Sequence, residues 1–252
     1  PEGVAGVGGA SGAVRRRDAG QLLRSVPAVR GLQGEVVQAQ ARAEGVEVRT
    51  AGGQVLAARK LLLATGIADQ LPELPGLAER WGSTVLHCPY CHGYEVGGGA
   101  IGLLGGHPMS AAKATLFADW GNVTFFSQGL PVSDEEQAAM QQRGVQIETT
   151  PVVGVQGEQP TWLEVELADG RRIAQRALFV PAMQQMATPL VQQLGCPLVE
   201  SPMRVLLAVH MMKPTSIPTV YALAYANPVG HITLATAQGV RARIRVPPAL
   251  VA

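Results

Sequence analysis

The fold of this chain is decided by Ala100-Ile-Gly-Leu-Leu-Gly-Gly-His-Pro-Met109, in which a short apolar strand runs directly into a glycine turn. The pattern that follows predicts a helix over Met109–Trp120 and a second strand at Val123–Phe126. Ser133 then precedes three carboxylates, which is typical of a helix start, and Val145–Glu148 is predicted as a third strand. This alternation of strands and helices is typical of one half of a doubly wound nucleotide-binding sheet, so the predicted class is α/β.

The residues before this stretch predict mainly strands. Alternating patterns indicate strands at Glu35–Gln40, Val46–Thr50 and Gln54–Arg59, with a glycine turn before the third. The apolar run Lys60–Gly66 is typical of a buried parallel strand. The prolines within Leu71–Leu77 indicate an extended linker.

The residues after it predict a hairpin, another strand and a helix. The hairpin joins Leu163–Leu167 to Arg172–Gln175, and the strand covers Thr219–Leu223. Helices are predicted at Val14–Arg24 near the start of the chain and at Ile232–Arg243 near its end.

Composition excludes several classes of function. The 252 residues are 47% hydrophobic and 15% charged, and the net charge of +1 argues against nucleic acid as a partner. No apolar run approaches the ~20 residues of a membrane helix. The first residues, Pro1–Gly9, lack both an initiator Met and the features of a secretory signal, so we expect a cytoplasmic protein whose chain is processed or truncated.

The strongest local signal is His87-Cys-Pro-Tyr-Cys-His-Gly-Tyr-Glu95. A Cys-x-x-Cys pair can close a small disulfide, and we expect this pair at a loop-to-helix start, where backbone N–H groups favour a thiolate. Thiol–disulfide exchange needs one attacking thiolate and a second, resolving thiol. Histidines on both sides add acid–base capacity near neutral pH. Half a zinc site and an inert pair are the alternatives, although a second ligand pair is missing. The remaining cysteine, Cys196, fits a small buried apolar side chain.

A second signal is Gly105-Gly-His-Pro-Met-Ser110, placed where a dinucleotide fingerprint belongs. The glycine that lets the backbone approach a pyrophosphate is replaced by His107. Ser127-Gln128 stands where an acidic residue would bind a ribose, and no arginine is there for a 2′-phosphate. A tight turn that binds no nucleotide is therefore an almost equal alternative.

Several of these strings together resemble the low-molecular-weight, thioredoxin-reductase-like class of FAD- and NAD(P)-dependent pyridine nucleotide-disulfide oxidoreductases. The specific string is Cys88–Glu95, followed in the family's order by Ile101–Met109. Leu62–Gly66 and Leu71–Gly76 resemble the family's first exit from the flavin domain. Ser216–Ala222 resembles the return to that domain.

The resemblance implies two Rossmann-like, three-layer nucleotide-binding domains, the second inserted into the first. Residues 1–72 and 185–252 would form the FAD-type domain, incomplete at its N-terminus, and residues 73–184 the NAD(P)-type domain that carries the cysteine pair. Electrons would pass from NAD(P)H to FAD, then to the cysteine disulfide and to a disulfide substrate that is a small protein or a small molecule. The resemblance also implies a homodimer.

The resemblance implies roles for particular residues. Cys91 would face the flavin, Cys88 would exchange with the substrate, and His92 would be the general acid/base. No metal site is expected. The implied cofactor contacts are Ala64, Thr65 and Gly66 for FAD, and Gly105, Gly106, Pro108 and Met109 for NAD(P)H.

Departures from the family pattern weaken both cofactor sites. No apolar strand is predicted before Gly6–Gly12, so the FAD fingerprint is expected to be absent. Leu223-Ala-Tyr225 replaces an Ala-Gly-Asp whose carboxylate binds the flavin ribityl chain in the family. We therefore expect weak binding of FAD and of NADP.

Four functions follow from the sequence. The first is a flavin-dependent disulfide reductase of the thioredoxin reductase type. The second is a truncated or degenerate homologue that acts as an interaction protein. The third, also implied by the resemblance, is an oxidase that takes electrons from dithiols and passes them to oxygen. The last is a zinc module built on His87, Cys88, Cys91 and His92, which adjacent ligands would strain.

Overall fold

The computed structural model describes residues 4–8, 30–157, 161–201, 203–208 and 215–222, and of residues 4–8 it describes the backbone. The predicted helices at Val14–Arg24 and Ile232–Arg243 lie outside these residues, as does Leu223–Tyr225. The chain forms two compact units. The first unit comprises Pro1–Asp69 with Gln184–Ala252, and the second comprises Gln70–Met183.

The described helices and strands are bounded as follows. The helices are α1 (Pro89–Val96), α2 (Ser110–Phe117), α3 (Asp134–Gln142) and α4 (Leu190–Gln193). The strands are β1 (Val4–Gly8), β2 (Val36–Arg42), β3 (Gly45–Thr50), β4 (Val55–Ala58), β5 (Lys60–Ala64), β6 (Ile67–Gln70), β7 (Val85–Leu86), β8 (Ala100–Leu104), β9 (Asn122–Phe126), β10 (Gln146–Glu148), β11 (Val152–Gln156), β12 (Leu163–Leu167), β13 (Arg172–Gln175), β14 (Ala177–Phe179), β15 (Met183–Met186), β16 (Leu198–Ser201), β17 (Arg204–Leu207) and β18 (Val220–Ala222).

The first unit is built on β5, which lies between β1 and β18 in a parallel sheet. Leu61 and Leu63 of β5 are fully buried on one face of the strand, where they belong to the apolar core of the first unit. Strands β2, β3 and β4 form an antiparallel meander whose buried residues alternate along the strands, as the sequence pattern predicts. A further sheet has the order β16-β17-β15-β6.

The N-terminal strand β1 differs from the sequence prediction. Val4–Gly8 pairs in parallel with β5 over five residues, with Gly8 opposite Ala64. The sequence analysis predicts no strand here, and on this point it is wrong. The glycine-rich segment carries too few apolar side chains to form a recognisable pattern, so the pairing depends on a contact far away in sequence. The residues directly after Gly8 lie outside the described part of the chain.

The second unit contains a five-stranded parallel sheet with the order β10-β9-β8-β14-β7. Ile101, Phe125 and Phe179 are fully buried in its core. Helix α3 begins with the predicted cap, now seen as a complete capping box between Ser133 and Glu136. The predicted hairpin is present as β12 and β13, to which β11 adds a third antiparallel strand.

All five strands of this sheet end at the same edge, because they run in parallel. The cysteine motif follows β7 at this edge, and the glycine turn follows β8. Ser127 and Gln128 follow β9. Ligands of open α/β sheets bind outside the carboxyl ends of the strands, so this edge positions the candidate site.

Candidate functional site

The cysteine pair lies at the start of α1. Cys88 is the N-cap, with an extended backbone (φ −128°, ψ 121°), and Pro89 occupies the first turn. Proline suits that position because its fixed φ is already helical and its missing N–H has no helical partner to lose. The backbone N–H groups of Cys91 and His92 both donate to the Cys88 carbonyl at 3.2 Å. The predicted loop-to-helix position of the pair is therefore present.

Both thiols are reduced in this structure, and they interact with each other. Cys88 is half-buried and Cys91 is exposed. Desolvation raises the pKa of the Cys91 thiol to about 11, and the hydrogen bond with Cys88, the charge of Cys88 and the charge of Glu95 act in the same direction. The sequence analysis expects backbone N–H groups to favour a thiolate at this helix start. For Cys91 the structure shows the opposite.

Trp120 holds α1 in place. The indole ring packs edge-on against Tyr90, with ring centroids 5.1 Å apart and planes at 85°. A side chain on Gly93 would place its Cβ 2.0 Å from Trp120 Cδ1, so only glycine allows the helix to lie this close. Sequence reasoning did not assign either Gly93 or Trp120 to the site. The signal for Gly93 is a glycine inside a helical segment, which usually has a packing reason.

His92 is paired with a carboxylate that the sequence analysis did not single out. Its Nδ1 lies 3.0 Å from Oε2 of Glu95, three residues further along α1. The side chains are 41% and 70% exposed, so the pair is accessible to solvent. Because spacings of three and four residues share a helix face, Glu95 is a neighbour of both His92 and Cys91.

The two glycines of the turn after β8 are required by the residues packed against them. A Cβ on Gly105 would lie 2.5 Å from the Ser127 carbonyl oxygen, because β8 and the end of β9 approach closely there. A Cβ on Gly106 would lie 2.5 Å from Cγ of Pro181, which follows β14. Both glycines are therefore required by packing alone. Pro108 and Met109 are exposed at the same turn.

The side chain of His107 occupies the N-terminus of α2. Its Nδ1 accepts from the backbone N–H of Met109 at 3.1 Å. The backbone N–H of His107 donates to Ser110 Oγ at 3.2 Å, and the N–H of Ser110 donates to the His107 carbonyl at 2.8 Å. A pyrophosphate bound at a helix start needs such backbone donors. Here the backbone N–H groups of His107, Met109 and Ser110 are used within the turn itself.

Ser127 and Gln128 follow β9, where an acidic residue would bind the ribose, and their side chains are not available to a ligand. Ser127 is buried, and Gln128 has a left-handed backbone (φ 52°). The Gln128 amide accepts from the Val152 N–H at 2.7 Å and donates to the Val152 carbonyl at 3.3 Å. The amide oxygen and the amide nitrogen of Gln128 are therefore both hydrogen-bonded to β11. The residues of this edge do not fit a nicotinamide dinucleotide as they stand.

The predicted flavin residues lie at the carboxyl end of β5 in the first unit. Thr65 Oγ1 is buried and has no hydrogen-bond partner within the described part of the chain. Gly66 has a left-handed backbone (φ +75°) with open space where a side chain would point. An unpaired buried hydroxyl beside open space at the carboxyl end of a parallel strand fits a polar ligand. The segment Ala64–Gly66 therefore fits the flavin group that the family implies.

Comparison with known proteins defines the class. A family model described as pyridine nucleotide-disulphide oxidoreductase matches residues 7–239. The chain belongs to this family of oxidoreductases, and the predicted resemblance is confirmed. The thioredoxin reductase tcpT of Claviceps purpurea is 42% identical over 74 residues, which are 29% of this chain and 23% of that protein. The match therefore spans about a quarter of the length of this relative.

Two solved structures resemble most of the chain. The oxidoreductase from Agrobacterium tumefaciens is 35% identical, with a TM-score of 0.84 over 91% of this chain and 77% of its own. The structure of HlmI is 30% identical, with a TM-score of 0.80 over 94% of this chain and 76% of its own. The predicted α/β class with Rossmann-like units is confirmed by these neighbours.

Two observations concern other predicted properties. None of the described helices is long and apolar enough to cross a membrane. Among the described residues, no group of three or more His, Cys, Asp or Glu side chains is placed to hold a metal ion.

Proposed function

We propose that this chain is a flavin-dependent thiol–disulfide oxidoreductase whose redox pair is Cys88 and Cys91. One observation carries the proposal. In a chain of this family, two free thiols lie three residues apart at the start of α1, at the carboxyl edge of the parallel sheet. Two thiols at this spacing can close a small disulfide, and one of them can resolve a mixed disulfide formed on the other.

The substrate is a dithiol or disulfide, carried by a small protein or a small molecule. Cys88 exchanges with it, Cys91 faces the flavin, and His92 is the general acid/base. Cys91 is the more exposed thiol in the reduced state, so the single serine variants decide between this assignment and its reverse. The variant that keeps the exchanging thiol still forms a mixed disulfide with substrate, whereas the other does not.

FAD is the cofactor that the first unit would hold, through Thr65 and the backbone of Ala64 and Gly66. When bound, the flavin supplies the two-electron chemistry and the yellow colour. The same proposal includes a homodimer, which the family resemblance implies, and a cytoplasmic location, which is expected from the sequence.

The test is the visible spectrum of the purified chain after incubation with FAD and gel filtration. Because β1 supplies the strand that the sequence pattern did not predict, we expect a retained flavin band that dithiothreitol bleaches without oxygen. In Cys88→Ser and Cys91→Ser the flavin should be retained, but bleaching should be lost. In Cys196→Ala, which removes a buried thiol far from α1 in sequence, bleaching should persist. A chain that stays colourless would overturn the proposal and favour the interaction protein.

The closed turn around His107 favours a second candidate, the dithiol oxidase, over the NAD(P)H-driven reductase. The family's reductase reaction needs a bound dinucleotide, and the donors for its pyrophosphate are used within the turn. In the oxidase reaction a substrate dithiol loses two electrons and two protons and becomes a disulfide, while oxygen gains them and becomes hydrogen peroxide. The reaction therefore balances without NAD(P)H.

The two directions are separated by an oxygen electrode. An oxidase consumes one oxygen for each dithiol oxidised, releases one hydrogen peroxide and is unaffected by NADH or NADPH. A reductase oxidises NADH or NADPH in proportion to the disulfide it reduces. Dithiol-dependent oxygen uptake that is absent from Cys88→Ser would establish the oxidase, and disulfide-dependent NADPH oxidation would exclude it as the main activity.

A further inference from the structure

Glu95 lies on the face of α1 that carries the candidate chemistry. It follows His92 by three residues and Cys91 by four, and these are the spacings of neighbouring side chains on a helix. The described contacts place its carboxylate 3.0 Å from His92 Nδ1. No role for Glu95 follows from the proposed function as it stands.

The carboxylate fixes how the imidazole holds its proton. An ionised carboxylate can only accept, so Nδ1 of His92 must carry a hydrogen for this contact to form. When the ring is neutral, Nε2 then has the free lone pair. The side of the ring turned away from Glu95 is therefore the side that can take up or release a proton.

We propose that Glu95 is a positioning residue, which holds His92 in the tautomer and orientation that exchange a proton through Nε2. The inference rests on the proposed function, because it assigns His92 the proton step of thiol–disulfide exchange.

A substrate thiolate attacks the sulfur of Cys88, a new S–S bond forms, and the Cys88–Cys91 bond breaks. Cys91 leaves as a thiolate with the electron pair of that bond, and protonated His92 gives its Nε2 proton to this sulfur. The reverse sequence removes a proton from Cys91 and closes the disulfide again.

The surroundings of Cys91 agree with a proton delivered at this point. Partial desolvation of the sulfur raises the pKa of its thiol, and the hydrogen bond and charge of Cys88 and the charge of Glu95 add to the effect. A thiol with a raised pKa holds a proton at neutral pH, so a leaving Cys91 thiolate needs a donor nearby. Glu95 then acts twice, once through His92 and once through its own charge.

The first test is the ring tautomer, observed by nitrogen-15 NMR on the whole chain with labelled histidine at alkaline pH. The chain has five histidines, and His92→Asn assigns the signal. We expect a protonated Nδ1 and an unprotonated Nε2 in the unmodified chain. In Glu95→Ala the fraction with a proton on Nδ1 should fall at least about twofold. The matched control is Glu135→Ala, an exposed carboxylate in the first turn of α3.

The second test is exchange activity. Glu95→Ala should lower the rate of dithiol-dependent flavin bleaching about tenfold, and Glu95→Asp should restore part of it, since a carboxylate is kept. An exposed pair contributes little to folding, so the variants should stay folded. An unchanged tautomer in Glu95→Ala, or an unchanged rate, would overturn the inference. The NMR result stands apart from the proposed function, because it needs neither flavin nor substrate.

Discussion

Two turns at one edge of the same parallel sheet use their helix starts in opposite ways. At the end of β7 the turn presents two thiols and a histidine, and no side chain caps α1. At the end of β8 the ring of His107 binds the backbone of Met109, and Ser110 binds the backbone of His107. The first turn leaves its reactive atoms accessible, whereas the second uses its donors internally.

The difference shows that position in a fold does not decide chemistry. In open α/β sheets both turns lie where ligands bind. A single histidine at the position of a fingerprint glycine places an acceptor where a phosphate oxygen would lie. The comparison therefore predicts that the thiol turn responds strongly to substitution, and that the glycine turn gains a function when its cap is removed.

The largest expected effect comes from the thiols. Cys88→Ser and Cys91→Ser should each lower dithiol–disulfide exchange about 100-fold or more, because a single thiol can form a mixed disulfide but cannot resolve it. Exchange is measured as the rate at which dithiothreitol bleaches the bound flavin without oxygen. Cys196→Ala is the control and should retain most activity. Equal activity in all three variants would show that Cys88 and Cys91 do not carry the exchange reaction.

The next effect concerns the closed turn. His107→Gly frees the Met109 N–H and removes the ring, so NADH and NADPH should bind about tenfold more tightly, which is the worth of roughly one hydrogen bond. Binding is measured by nucleotide fluorescence. His107→Asn is the control, because its amide oxygen can still cap the helix and should keep binding weak. Tight binding by the unmodified chain would show that the ring does not close this turn.

The sequence predicts elements whose pattern is local and misses features that depend on distant contacts. The hairpin at Leu163–Gln175 and the cap at Ser133 are visible in the sequence, because alternation and capping act over a few residues. The strand at Val4–Gly8 is not, since its glycines carry no pattern and its partner is more than fifty residues away. Strand β15, Met183–Met186, is also missed, because two glutamines occupy its centre.

The candidate site likewise has features that local sequence predicts and features that depend on the folded structure. The motif around Cys88 is recognisable from residue types alone, and so is the missing glycine at His107. What His107 does instead depends on one side-chain rotamer, which no sequence pattern specifies. The raised pKa of Cys91 is likewise a product of burial and of neighbouring charge, and local backbone donors suggested the reverse.

A smaller effect tests whether an ion pair at the carboxyl edge of the parallel sheet stabilises the fold without affecting the exchange activity of the thiols. Arg171 donates to Glu148, at the end of β10, and holds the pKa of that carboxyl near 2. The pKa is lowered in the folded state, so the stabilisation is full above the ordinary pKa and is lost as the pH falls through about 2. Glu148→Gln should lower the Tm at pH 7 by about 2–4 °C and leave exchange activity unchanged.

The pH dependence and a control complete that test. The difference in Tm between Glu148→Gln and the unmodified chain should shrink below pH 4.5 and vanish near pH 2. The control is Glu164→Gln, whose carboxylate lies 3.8 Å from Arg172 in a more exposed pair, and its Tm should barely change. A loss of exchange activity in Glu148→Gln would contradict the separation, because it would link the β10 end to the thiol turn.

The smallest expected effect is the most direct measure of the thiol turn. With the pKa of Cys91 near 11, iodoacetamide should alkylate it slowly at pH 8 and about tenfold faster for each added pH unit, since the thiolate is the nucleophile. The charge of Glu95 raises that pKa, so Glu95→Gln should lower it and speed alkylation at pH 8 about twofold, an effect that added salt weakens. Peptide mass spectrometry separates Cys91 from Cys88, and Glu135→Gln should leave the rate unchanged. An alkylation midpoint near pH 7 would mean that the helix start does stabilise a thiolate, and the two turns would then differ in accessibility alone.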